Sequence, residues 1–145
     1  MITSKIFFFS EGVVRDAISN TISAYNIIEE YHSPGFPFFI QKCFIFCLLH
    51  RDSEDPNPEN VQIILKNNDT LLHTISNIKV DFSGSKRNRI VAYIDGMVIP
   101  QPGTLNAILQ INEKNIAEYK IDVSPIVKPK NHIIEANGSG KENKD

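Results

Sequence analysis

Two adjoining runs in the last third of the chain alternate apolar and polar residues. Leu105, Ala107, Leu109 and Ile111 fall on one side of an extended chain, with Asn106 and Gln110 on the other and Ile108 breaking the polar side. Ala117, Tyr119, Ile121 and Val123 then alternate with Glu118, Lys120 and Asp122. Successive side chains of a strand point to opposite faces, so each run reads as a strand with one buried and one wet face. Asn112-Glu113-Lys114-Asn115 separates them, and asparagine tolerates the left-handed angles of a short hairpin loop. Pro100-Gln101-Pro102-Gly103 stands just before the pair. It cannot continue a helix or a central strand, because proline lacks an N–H and Gly103 can take positive φ. A corner followed by a hairpin commits this part of the chain to antiparallel β structure.

The same punctuation recurs upstream. Lys5 to Phe9 reads as a first strand, ended by Ser10-Glu11-Gly12. Val13 to Tyr31 has two readings: a turn near Ser19-Asn20 and then a strand from Thr21 to Tyr31, or a short helix across Val13 to Ser19. The threonine, tyrosine and isoleucine content favours the strand. His32 to Pro37 is a loop, since two prolines surround a glycine. Phe38 to His50 is almost continuously apolar and reads as a central strand covered on both faces, with a buried helix as the competing assignment. Arg51 to Asn60 is a polar loop. Val61 to Lys66 and Thr70 to Ile75 form a hairpin around Asn67-Asn68-Asp69. Alternation of Ile78, Val80 and Phe82 predicts another strand, Ser83 to Arg89 a basic loop, and Ile90 to Ile99 a strand bent at Asp95-Gly96.

Seven to nine short strands with turns between them predict an all-β fold, an immunoglobulin-like antiparallel β-sandwich. The 145 residues suit one domain. Its expected extent is residues 1–127. Residues 128–145, with Pro129 and the polar run NGSGKENKD, are expected to form a flexible tail, because they cannot bury enough surface to order themselves.

Composition narrows the function. A formal charge of −2 gives no global field toward nucleic acid or acidic membranes. No stretch approaches the ~20 apolar residues of a membrane helix, and Ile6 to Phe9 is too short for a signal-peptide core. Cys43 and Cys47 are the only cysteines. On a strand they stand roughly 13 Å apart, too far for a disulfide. Free thiols suit a reducing compartment, and the expected location is cytoplasmic.

No motif carries chemistry. His50 with Asp52, Glu54 and Asp55 offers too few oxygens for calcium. Gly138-Ser139-Gly140-Lys141 fails the phosphate-loop pattern, because Glu135 stands where the first glycine belongs and Glu142 follows the lysine. The four histidines show no metal spacing. Neither a catalytic residue nor a cofactor is expected. Lys86, Arg87 and Arg89 form the one basic cluster and are the candidate anion contact, too few for a nucleic-acid footprint. His132, Ile133 and Ile134, an apolar island in the polar tail, are the candidate partner-binding residues.

The FFFSEG strand, the ISAYNII stretch leading to PGFPF, the apolar strand ending LLHR, and IPQPGTLNAILQINEKNIAEYKIDV together span Ile6 to Val123. In this order they resemble the DUF6941 family of uncharacterised small bacterial proteins. The resemblance implies a sandwich fold and a bacterial cytosolic origin, and no activity. The expected function is a non-catalytic protein–protein interaction module, with self-association as one form of it. A small-ligand or carbohydrate-binding sandwich comes second and an unrecognised hydrolase third.

Overall fold

The computed structural model describes residues 1–52 and 54–127. Strands run in the order β1 (Ile2–Arg15), β2 (Ile22–Ile27), β3 (Glu30–Ser33), β4 (Phe38–Arg51), β5 (Val61–Asn67), β6 (Thr70–Ile75), β7 (Arg87–Ile99), β8 (Gly103–Ile111) and β9 (Lys114–Pro125). Among the described residues there is no helix. Four strands pair as β2-β1-β4-β7 and five as β3-β9-β8-β5-β6. The inner faces of the two sheets share one core. Phe9, Cys43, Ile45, Cys47 and Leu49 supply one side, and Ile63, Leu65, Leu105, Leu109 and Ile121 the other. The all-β sandwich follows the expectation; residues 128–145, the expected tail, lie outside the described ones.

The closing hairpin forms as its alternation dictates. β8 and β9 are joined at Asn112-Glu113, where φ is +48° and +67°. Two successive positive φ values make the type I′ turn that matches strand twist. The Pro-Gly corner is clamped from outside the hairpin. Asn67 is buried, and its Nδ2 donates to the Gln101 and Thr104 carbonyls at 3.0 and 3.3 Å. The Gln101 N–H donates back to Asn67 Oδ1 at 2.9 Å. The neighbouring Asn68 receives the Thr104 N–H at 3.0 Å.

Four expectations need correction. The residues from Thr21 to Tyr31 are not one strand but two, in different sheets: β2 pairs with β1, and β3 runs parallel to β9. Asn26, at φ +52°, and the break at Ile28-Glu29 carry the chain from one sheet to the other. The helix alternative for Val13 to Ser19 also fails, because β1 continues to Arg15 and a turn follows. Finally, Ile78 to Phe82 alternates without being a strand. Val80 and Phe82 are buried, yet the segment's backbone bonds are irregular, with Ile78 donating to the Val61 carbonyl and Phe82 to the Asn57 side chain. The alternation records a segment plugging the open side of the sandwich. The basic loop is likewise shorter than expected, since Arg87 and Arg89 belong to β7.

Candidate functional site

The two outer faces of the sandwich differ. That of the five-stranded sheet is a polar lattice, with Gln62 donating to Gln110 at 2.7 Å and Lys120 beside Glu118. That of the four-stranded sheet is apolar, because β1, β4 and β7 are apolar in both alternation phases. Register places Ile6, Leu48 and Arg89 in one row across three strands, then Phe8, Phe46 and Val91, then Ser10, Phe44 and Tyr93. The Phe8 and Phe46 rings lie 5.4 Å apart, and those of Phe44 and Tyr93 5.0 Å apart.

The hairpin of β1 and β2 folds back over this face. Arg15 lies about nine residues beyond Ile6 on β1, so on a straight strand the hairpin turn would stand about 30 Å from Arg89. Instead, Arg89 Nη1 donates to the Asn20 carbonyl at 2.6 Å. The bend lies where β1 leaves β4. There Ser10 Oγ donates to the Gly12 carbonyl at 3.2 Å, and Asn26 Nδ2 donates to Glu11 at 2.8 Å. Gly12 has no room for a side chain, because an added Cβ would lie 1.9 Å from the Tyr25 ring. The tip of this arm is closed by Asp16, whose carboxylate accepts the N–H groups of Ile18 and Ser19 at 2.9 and 2.7 Å. Those bonds hold its pKa below the ordinary value.

Between arm and sheet lies a trough of about 870 Å³. Its apolar surface comes from Ile6, Phe8, Phe46, Leu48 and Val91 on the sheet and Ile22 and Ala24 on the arm. Phe46, which an uncovered outer face would leave in water, is 6% exposed. The rim carries Arg15, Arg87 and Arg89, with Asn20, Thr21, Ser85 and Asn88 between them. Among the described residues, no carboxylate lies within ion-pair distance of these arginines. A trough of this kind takes apolar groups on its floor and anionic groups at its edge.

Of the predicted basic cluster, Arg87 and Arg89 therefore reach the trough. Lys86 does not line it; its carbonyl accepts the Arg51 N–H. Arg15 was missed, and no local sequence signal points to it, since only the folded arm brings it to residues on β7. The candidate partner residues His132, Ile133 and Ile134 lie outside the described residues.

Other constellations are weaker. The carboxylates of Asp52 and Asp55 both meet the Met1 amino group, and among the described residues no cluster has the make-up of a metal site. Ser124 Oγ lies 2.9 Å from His32 Nδ1, and His32 Nε2 lies 3.3 Å from Glu30. This row resembles a hydrolase triad, but His32 and Ser124 are register partners, and His32 and Glu30 are exposed. An imidazole in open water gains none of the low-dielectric stabilisation such chemistry uses. Of the four tyrosines, Tyr93 pairs with Phe44 on the exposed outer face, and the other three are engaged locally. Tyr119 donates to the Ile28 carbonyl, Tyr31 packs on Phe38, and Tyr25 covers Gly12. Cys43 and Cys47 are buried free thiols, and burial pushes each up to about 11. No described helix is long and apolar enough to cross a membrane.

No curated protein matches the chain. The family model of DUF6941 matches residues 5–124, from the first strand through the closing hairpin, and the chain belongs to that family of unknown function.

Proposed function

We propose that this protein is a non-catalytic interaction module that holds an extended segment of a partner protein, apolar and acidic in character, in the trough beneath the hairpin arm. The observation that carries the reading is the pairing of an apolar floor with a rim of arginines that no carboxylate of the described residues neutralises. Arg89 is engaged in holding the arm, which leaves Arg15 and Arg87 as the principal anion contacts. The volume, about 870 Å³, sits at the upper end of the roughly 300–1,000 Å³ typical of ligand sites. The amide and hydroxyl groups of Asn20, Thr21, Ser85 and Asn88 favour a peptide, which brings its own backbone donors and acceptors, over a plain fatty chain. The exposed aromatic pair, Phe44 and Tyr93, does not line the trough, which weighs against a carbohydrate there. The buried free thiols support a reducing, cytoplasmic setting.

The test is binding of a fluorescent peptide library varied in acidic and apolar content. Acidic, apolar peptides are expected to bind, to weaken as salt is raised, and to lose at least about tenfold in affinity to Arg15→Glu with Arg87→Glu. Binding that ignores both arginines and salt would sink the proposal. Selective binding of fatty carboxylates alone would replace the peptide with a small amphiphile.

A further inference from the structure

The open edge of β7 carries a second surface, which adjoins the trough through Arg89 and Val91. β7 ends the four-stranded sheet and is its longest edge; β2 is interrupted at Asn26, and β3 and β6 are short. Two hydrogen bonds settle which of its backbone groups are free. The Ile28 N–H donates to the Phe9 carbonyl, so Phe9 turns its groups toward β2 and Ile45 turns its own toward β7. The Arg51 N–H donates to the Lys86 carbonyl, which fixes the same phase at the far end of an unshifted register. Antiparallel ladders alternate, so Ile90, Ala92 and Ile94 bond to β4, and Arg89, Val91, Tyr93 and Asp95 present theirs to the open edge. Among the described residues, the N–H groups of these four have no partner. β6, the nearest strand of the other sheet, leaves a groove of about 300 Å³ along Tyr93 to Val98 and does not cover the edge.

Natural proteins blunt such edges with prolines, bulges or charged side chains; charges of both signs on one edge can instead pair with a second copy. Up to Gly96 β7 carries no proline and no bulge, and its outward charges, Arg87, Arg89 and Asp95, are of both signs; Arg89 and Asp95 are equidistant from Ala92. An antiparallel copy aligned on Ala92 would set Arg89, which also donates to the Asn20 carbonyl, against the partner's Asp95, and Val91 against the partner's Tyr93, each twice. Opposite charges and a β-branched–aromatic pair are favourable cross-strand neighbours. Val91 is 45% exposed and Tyr93 53%, apolar surface that this register covers. We propose that two copies of the chain join edge to edge through β7 in this register, forming a two-fold dimer with one sheet continuous across both.

Sedimentation equilibrium of the full chain tests this. Wild type is expected to dimerise reversibly. Asp95→Arg opposes two pairs of guanidinium groups and Arg89→Asp two pairs of carboxylates, and each is expected to weaken the dimer by about thirtyfold. Mixing the two variants restores both opposite-charge pairs, so the mixture is expected to form a heterodimer of near wild-type affinity. That recovery also shows that neither variant has simply lost its fold. A wild type that stays monomeric at every concentration, or single variants that dimerise as well as wild type, would overturn the proposal.

Discussion

Replacing Gly12 with alanine puts a methyl group at the point where the two strands of the arm lie closest. The new Cβ would sit 1.9 Å from Tyr25 Cζ and 2.2 Å from Cε1 and Oη. Ordinary carbon contact is about 3.5 Å, so the ring must retreat by at least about 1.6 Å. Tyr25 is 50% exposed, and its ring can swing outward instead of forcing the backbone apart. That places the overpacking cost toward the low end of its usual range, about 1.5 kcal/mol. Alanine in a strand recovers about 0.5 kcal/mol relative to glycine. The net expectation is a loss of about 1 kcal/mol, read as a lower urea midpoint at unchanged m. In a Tyr25→Ala background the clash is gone, and the same Gly12→Ala change is expected to stabilise by about 0.5 kcal/mol. The sign reversal is the test. Equal effects of Gly12→Ala in both backgrounds would refute the close approach of Gly12 and Tyr25, and with it the geometry that bends the arm over the sheet. Hydrogen exchange at Ile22–Ile27 should rise in the single variant while the core strands keep their protection.

Further expectations follow from single contacts. Glu113→Gly relieves a non-glycine residue at φ +67° in a type I′ turn and is expected to raise stability by about 1 kcal/mol, measured by urea unfolding. Asn67→Ala strips the Pro-Gly corner of three hydrogen bonds at a buried site and should cost about 2–3 kcal/mol; a loss under about 0.5 kcal/mol would mean the corner holds itself. Cys43 and Cys47, buried and with thiols raised to about 11, should resist a chromogenic disulfide reagent at neutral pH and both react in denaturant; rapid labelling of the native protein would contradict their placement. The Asp16 carboxyl is held below its ordinary value of 3.8 by the Ile18 and Ser19 N–H groups. Its contribution to the arm tip is therefore present above that value and lost as pH falls through the lower folded value. The Ser19 amide resonance should titrate with a midpoint below 3.8, and a midpoint at or above it would count against the turn.

Most strands were legible because one face of each is wet. Val61 to Asn67 and the closing hairpin show their alternation in the residues themselves, and Thr70 to Ile75 follows as the partner across the Asn67-Asn68-Asp69 turn. Alternation reports burial, however, and not pairing. Ile78, Val80 and Phe82 bury alternate side chains with no ladder, and no sequence pattern separates that from a strand. The stretch from Val13 to Tyr31 was hard for a different reason. Its residues serve an arm, a turn and a change of sheet within a short span, and a single left-handed Asn26 marks the junction. The candidate site was half legible. Arg87 and Arg89 stood out as a basic cluster, and the almost continuous apolar run of β4 announced a strand covered on both faces. What covers its outer face, and the arrival of Arg15, depend on a fold-back that only tertiary structure provides.

The central claim is that the trough between arm and sheet is the binding surface. Amide and methyl chemical-shift mapping, while an acidic, apolar peptide is titrated into the labelled full chain, tests it most directly. Ile6, Ile22, Ala24, Leu48 and Val91 are expected to shift together and saturate with one affinity, and Arg15→Glu with Arg87→Glu is expected to abolish the response. Shifts confined to the polar face around Gln62 and Gln110, with the trough residues unmoved, would contradict it.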